Sequence, residues 1–467
     1  MSDNTVKWTD DQRNAIDSNG TVLVSAAAGS GKTAVLAQHV LQLITGDGGV
    51  DADRLLVLTF TRDAAAEMKR RIQKELDDRI AAEGATAQLL RQKQKLYTAH
   101  ISTTDSFCSS LVREHFSALN IEPDFRIASD DEIVTVSTKA LYAAFETFYA
   151  TNSPDFRRLL RAFASGSDDK GLREAVLTVH DFLQNQPFKT QWLDEMVKRY
   201  TQMSFSETEW AEELFGVIPQ ELDSMLSEVS VTIKTSKLSP QLEEILIPLL
   251  EADGRNLIDL KNELCANGYK GFCEKAQVLF VAEYKEIPTI SEKLQKGKKT
   301  AIKSVAGCRS KVREKVLSFL GAEEELQSLS GLMVTLSELI TAFDHELSGL
   351  KDRRNIRTFS DVSSLTVRLL AEHCKKDEAE FCTGGFYYRR TELARELSSR
   401  FAQVIVDEYQ DVNLIQEVIY NCISSSGENL FMVGDIKQSI YGFRQSKAKL
   451  FNERKNRYAP FDSENPT

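Results

Sequence analysis

Residues 26–33 of the chain read AAAGSGKT. Gly29 and Gly31 free the backbone to wrap an anion. Lys32 and Thr33 then open a helical pattern, so successive N–H groups and a helix start form a cradle for phosphate. In such a loop Ala26, Ala27, Ala28, Gly29, Ser30 and Gly31 supply the backbone. Lys32 reaches the outer phosphates, and the Thr33 hydroxyl is placed to coordinate Mg²⁺. The strict pattern has glycine where Ala26 stands. A second group is VIVDEYQD at 404–411, where an apolar run delivers two adjacent carboxylates. Asp407 would hold the metal ion and Glu408 would take a proton from an attacking water. The third is GDIKQSIYGFR at 434–444. Gln438 can hydrogen-bond both a phosphate and a water. Tyr441 and Phe443, beside Lys437 and Arg444, suit stacking on unpaired bases, or else packing inward from a loop.

These groups need strands that end at one edge of a sheet. Residues 21–25 (TVLVS), 55–60 (LLVLTF), 401–406 (FAQVIV) and 430–434 (LFMVG) are short apolar runs, and a further short strand is expected at 100–103. The first is followed by a helical pattern with Val35, Leu36, Val40, Leu43 and Ile44 on one face. The second is followed by one carrying Ala64, Ala65, Ala66, Met68 and Ile72. Strands alternating with helices predict an α/β fold, a parallel sheet covered on both faces. The continuous apolar runs near 404 and 432 fit central strands. Between the two ends the pattern is helical, with few turn signals. This predicts a discontinuous sheet domain at 1–115 and 400–458, a mostly helical insertion at 116–399 and a polar tail at 459–467. Within the insertion, 293–315 holds nine Lys/Arg against one acid, Glu314. A second basic cluster is KDRRNIR at 351–357.

The composition sets outer limits. With 467 residues, 42% hydrophobic and 27% charged, the chain has material for several globular domains and is neither collagenous nor wholly disordered. Its 58 Lys+Arg against 69 Asp+Glu give a net charge of −11, which excludes a small basic DNA-coating protein. Local basic stripes still permit nucleic-acid binding. The seven cysteines include no C-x-x-C pair, which argues against a zinc site or a disulfide framework. His373, Cys374 and Cys382 are the nearest approach to a metal cluster. The start MSDNTVKWTD lacks a secretory pattern, and no run of about 18 apolar residues stands out, so no membrane span is expected. The expected location is the reducing cytoplasm, at the nucleoid.

Taken in order, WTDDQRNAI with Gln12, AAAGSGKT, LTFTRDAAAEM at 58–68, ISTTDSFC at 101–108, VDEYQD and GDIKQSIYGFR resemble the motifs of superfamily 1 helicases of the UvrD/Rep kind. Within that superfamily the chain is most similar to the AddA (RexA) branch, helicase–nuclease subunits that process double-strand breaks. The long insertion, PDFRIAS at 123–129, the residues 359–361 and Ala34 after the phosphate loop carry that likeness. The resemblance implies a RecA-like sheet domain, ATP and Mg²⁺, single-stranded and duplex DNA, and a second subunit of the AddB/RexB type. Carried onto this sequence, it implies that Gln12 reads the adenine edge and that Thr59 and Phe60 lie along a single strand. Gln438 would couple the γ-phosphate to the DNA-binding loops, and Tyr441, Phe443 and Arg444 would contact bases or phosphate.

Two departures accompany the resemblance. Asp105 stands where many relatives have a DNA-contacting histidine. The chain also ends at Thr467, shortly after the third core motif, so the second motor domain with its arginine fingers and the nuclease domain are expected outside these 467 residues. The 467-residue chain is therefore expected to bind nucleotide but to be inactive or only weakly active in hydrolysis, with little or no stimulation by DNA and no unwinding. The alternative is a fragment that binds nucleotide, DNA or a partner without hydrolysis.

Overall fold

The structure, a computed structural model, describes residues 8–27, 29–46, 48–164, 168–425, 427–438 and 448–458. Its central sheet has five strands in the order Val22–Ser25, Leu430–Gly434, Gln403–Val406, Leu55–Thr59 and His100–Thr103. All neighbours are parallel. The three inner strands are buried along their whole length, while the outer two are partly exposed. That is why the inner runs are continuously apolar rather than alternating.

Successive side chains leave the sheet on opposite faces. Leu55, Val57, Ile405, Phe431 and Val433 enter one core with Leu36, Val40 and Ile44 of the helix Lys32–Thr45 and Met68, Ile72 and Leu76 of the helix Arg62–Glu83. Leu56, Leu58, Val404, Val406 and Met432 enter a second core. There they meet the helices Thr104–Glu114, Phe359–Leu370 and Leu414–Ile423. The predicted covered parallel sheet is therefore present.

The described residues form two compact units. One takes in Met1–Thr151, Ala164–Trp192 and Leu339–Thr467, the other Asn152–Phe163 and Leu193–Glu338. These bounds differ from the expected insertion at 116–399, because the helix Phe359–Leu370 closes the second core of the sheet. Short strands also lie within the stretch expected to be mostly helical. Arg126–Ile127 pairs with Ile356–Arg357, and Phe386–Arg390 pairs antiparallel with Ala371–His373 and Phe381–Thr383. The hairpin 381–390 turns through Gly384 (φ 59°) and Gly385 (φ 89°). A Cβ at Gly384 would stand 2.7 Å from Leu414 Cδ2. A Gly-Gly pair beside the β-prone run FYYRR is a hairpin signature, so the signal was present in the sequence.

The second unit is helical, built on Glu209–Thr235, Pro240–Gln277 and Lys299–Ser318 around Leu222, Leu246, Leu257, Leu264 and Val312. Four of the nine basic residues in 293–315 are paired with acids there. Arg309 forms a buried pair with Asp253 at 2.7 Å. Lys311, Arg313 and Lys315 pair with Glu228, Glu286 and Glu221. The helix Ala322–Arg353 is, against expectation, long and apolar enough to cross a membrane by length and composition. Within this fold its Leu336, Leu339, Ile340, Phe343 and Leu347 are core residues.

His39 sits wholly buried beneath the sheet domain's first helix, Asp10–Asp17. Its Nδ1 lies 2.8 Å from the Ile16 carbonyl and its Nε2 2.7 Å from Gln403 Oε1, and the ring stacks on Phe431. Burial pushes its pKa below 6.5, against the opposing pull of those two partners and Asp17. Below pH 6.5 the unfolded chain takes up a proton that the folded chain resists, so stability falls as pH falls. One group limits that slope to about 1.4 kcal/mol per pH unit. The urea midpoint is expected to drop on acidification through this range, less steeply in His39→Gln. Equal slopes in the two chains would remove His39 as the source.

Candidate nucleotide site

The phosphate loop leaves the sheet at Ser25, which is in register with Gly434, and the Ala26 N–H donates to the Gly434 carbonyl at 3.0 Å. Gly29 (φ 75°) and Gly31 (φ 79°) then adopt the left-handed conformation that favours glycine. Ala26 is not among the described residues with positive φ, so glycine is not required there. Gly31 caps the helix Lys32–Thr45, with its carbonyl accepting from Ala34 and Val35. The N–H groups of Lys32 and Thr33 therefore belong to the first turn, where helices have no internal acceptors to offer. Ser30 Oγ is buried with no hydrogen-bond partner among the described residues.

Gln12 braces this loop from outside. It closes a capping box with Thr9, whose N–H donates to Gln12 Oε1 at 2.9 Å, and its Nε2 donates to the Ser30 carbonyl at 2.9 Å. The amide expected to read a base thus ties the start of its own helix to the phosphate loop and stands 3.6 Å from where a Gly31 Cβ would be.

Behind the loop, five side chains and one backbone N–H form a closed ring. Lys32 Nζ donates to Gln438 Oε1 (3.2 Å) and meets Glu408 Oε2 at 3.5 Å. Gln410 Nε2 donates to that same Glu408 oxygen at 2.7 Å. Gln410 Oε1 accepts from the Asp435 N–H at 2.9 Å. Asp435 in turn accepts from Gln438 Nε2 at 2.8 Å. Lys32, Glu408 and Gln438 were predicted from sequence, whereas Gln410 and Asp435 were not. Both lie inside the motifs VDEYQD and GDIKQ, but a glutamine and an aspartate in a loop do not announce whom they bond. Gly434 is explained by the same ring, since a Cβ there would stand 2.5 Å from Gln410 Oε1.

Asp407 follows the strand Gln403–Val406 and is fixed by its own N–H to the Leu58 carbonyl at 2.9 Å. Its carboxyl accepts from the Glu408 N–H at 3.0 Å. Burial and then the neighbouring Glu408 charge push its pKa up to about 6, with the Glu408 N–H and Lys32 opposing. Glu408 itself is left-handed, φ 52° and ψ 43°. For a non-glycine residue this costs about 1–3 kcal/mol and persists only where surrounding contacts enforce it.

A cavity of about 500 Å³ opens at the carboxyl ends of Leu55–Thr59, His100–Thr103 and Gln403–Val406, between Phe60, Asp105, Asp407, Glu408 and Asp411. Among the described residues no lysine or arginine lines it, so it does not favour phosphate. Asp105 stands in this acidic wall. Thr59 is 2% exposed, and its hydroxyl donates to the Thr61 carbonyl at 2.9 Å, so that side chain is already engaged. Phe60 is only partly buried. Ala28, Tyr441, Phe443 and Arg444 lie outside the described residues. Among the described residues, no cluster of three metal-binding side chains occurs, at His373, Cys374 and Cys382 or elsewhere.

Residues 8–459 match the UvrD/REP helicase N-terminal domain. The chain belongs to the UvrD/REP helicase family. Its curated relatives include proteins named as ATP-dependent helicase/nuclease subunits. The one from Acetivibrio thermocellus is 34% identical over 98% of this chain and 37% of its own length. That of Anoxybacillus flavithermus is 32% identical over 97% and 38%, and that of Ruminiclostridium cellulolyticum 31% over 97% and 37%. The resemblance read from six motifs is thus borne out across nearly the whole chain. The chain spans 37–38% of the length of these relatives. Three features of this UvrD/REP domain fit a nucleoside triphosphate with a divalent cation. They are the orphaned Ser30 hydroxyl, the half-buried Asp407 carboxyl beside a second carboxylate, and a lysine ammonium held at the mouth of a phosphate loop.

Proposed function

We propose that the chain is the nucleotide-binding motor portion of an ATP-dependent DNA helicase–nuclease. The closed ring joining Lys32, Glu408, Gln410, Asp435 and Gln438 carries this reading. It puts the phosphate-binding lysine, the proton acceptor and the loop before Tyr441 in one hydrogen-bonded circuit.

Lys32 exchanges its contacts with Glu408 and Gln438 for the β- and γ-phosphates, and the first-turn N–H groups and Ser30 add donors. Thr33 and Asp407 would hold Mg²⁺, which when bound neutralises charge on the phosphate oxygens. Gln410 donates to one Glu408 oxygen and leaves the other to accept a proton from water. Gln438, released by Lys32 but still tied to Asp435, reports phosphate occupancy to the segment that follows. Gln12 stays a loop brace and has one amide proton left for an adenine.

On the DNA side, Phe60 and the backbone at Thr59 offer a single strand one wall, and Tyr441, Phe443 and Arg444 extend it. Duplex DNA is met by Lys293, Lys296, Lys299 and Lys303 of the second unit, since the other end of that basic run is paired with acids. Functionally, 1–115 and 400–458, with the helix Phe359–Leu370 packed on their sheet, act as the motor, the helical unit of Asn152–Phe163 and Leu193–Glu338 as the inserted arm, and 459–467 as a tail. The assembly includes a second subunit of the AddB/RexB type and works in the cytoplasm at the nucleoid.

Fluorescence anisotropy with a single-stranded oligonucleotide tests the DNA half of this proposal. Tyr441→Ala or Phe443→Ala is expected to weaken binding by about 1–3 kcal/mol per lost stacking contact. The circular dichroism of the folded chain should not change. Wild-type affinity in both variants would assign the two aromatics to the core instead.

A further inference from the structure

The helix Ala448–Arg457 carries Arg454, whose side chain is 8% exposed, against Glu417 on Leu414–Ile423, whose side chain is 6% exposed. Two guanidinium nitrogens donate to Glu417 Oε1 at 2.6 and 2.9 Å, and Arg454 also donates to Asn421 Oδ1 and the Tyr458 hydroxyl. The other Glu417 oxygen accepts from the Tyr409 hydroxyl at 2.5 Å. Asn421 continues the network to Tyr388, which meets Thr383 of the hairpin at 2.9 Å. Phe451 of the same helix packs on the Tyr409 ring.

A buried ion pair adds little stability over a well-packed apolar pair, so its presence asks for another role. What it holds is Tyr409, the residue next to the left-handed Glu408. The backbone of that turn is closed by the Asp411 N–H on the Glu408 carbonyl and the Val412 N–H on the Tyr409 carbonyl, and its side chains anchor it outward through Gln410 on the Asp435 N–H and through Tyr409 on Glu417. We propose that the buried Arg454–Glu417 pair is a positioning device for Glu408: it fixes the Tyr409 hydroxyl and thereby the turn from which the Glu408 carboxylate faces Lys32. The proposal rests on reading Glu408 as the proton acceptor. Neither Arg454 nor Glu417 touches the nucleotide. They act through Tyr409, and they join the catalytic turn to the helix that follows the Tyr441–Phe443 segment.

Tyr409→Phe deletes one hydroxyl and leaves the ring and the ion pair. The paired Glu417→Met/Arg454→Met variant removes both charges without stranding either. Three quantities are measured in the 467-residue chain: Mg·ATP affinity, single-turnover ATP hydrolysis with the chain in excess, and amide exchange over 408–411. Both variants are expected to fold and to keep wild-type affinity, with a modestly lower melting temperature because each leaves a buried polar group without its partner. They should exchange faster at 408–411 and hydrolyse about 10- to 100-fold more slowly, the cost of a small misplacement of a reacting group. Wild-type exchange and hydrolysis in both variants would make the pair merely structural and overturn the proposal. A wild-type chain that binds no Mg·ATP would instead defeat the nucleotide reading. In that event exchange at 408–411 alone decides whether the pair holds the turn, and an unchanged rate overturns it.

Discussion

Lys32→Ala is expected to bind Mg·ATP roughly 10- to 100-fold more weakly than the wild-type chain, the range for losing a hydrogen bond to a charged group. The ammonium is 10% exposed at its side chain and already held in place by Gln438 and Glu408, so little is lost in ordering it for phosphate. Among the described residues no other cation is bonded into the ring it closes. Gln410 keeps its bond to Glu408, so the turn at 408–411 should survive the substitution, and circular dichroism should match wild type. Arginine at the same place would not restore the site fully, because a planar fork cannot occupy the space of a point charge between two acceptors. Isothermal calorimetry decides the matter, and equal affinities in wild type and Lys32→Ala would remove the loop from the phosphate-binding role.

What the sequence made legible follows from how local each feature is. The phosphate loop, the two carboxylates after Val406 and the five strands of the sheet are written in contiguous residues whose types have one dominant use. The structure forms that sheet and puts the described loop residues and both carboxylates at the ends of its strands. Gln410 and Asp435 were illegible because their roles depend on each other across the strand edge, and no spacing in the chain encodes a side chain that meets a backbone N–H 25 residues away. Gln12 shows the converse. Its motif pointed to a base, while the structure shows its amide bracing Thr9 and Ser30. The expected insertion failed at its edges for a physical reason. Helical periodicity identifies an amphipathic helix but not which core takes its apolar face, and the helix Phe359–Leu370 buries Val362, Val367 and Leu370 against the sheet. Nothing in the sequence set Arg454 apart, because a buried ion pair has the same composition as a solvated one.

Glu408→Gln should separate binding from chemistry, because of how the carboxylate is held. Lys32 and the Gln410 amide both address the same oxygen, Oε2. A glutamine can present its own amide oxygen at that position, keep both hydrogen bonds, and place its NH₂ where the free carboxylate oxygen stood. The turn, with its left-handed residue 408, is then supported by the same contacts as before. The substitution also removes the charge that, after burial, raises Asp407, so Asp407 gives up its proton more readily, and it takes a negative charge away from the incoming phosphates. Only the lone pair that accepts the proton of water is lost. Positioned general bases contribute about 10²- to 10⁴-fold. Single-turnover hydrolysis in the variant is therefore expected to fall by that factor while Mg·ATP affinity stays at or above the wild-type value. A variant that hydrolyses as fast as wild type would place the base elsewhere. One that loses binding together with hydrolysis would mean that Glu408 serves the nucleotide's ground state rather than its reaction.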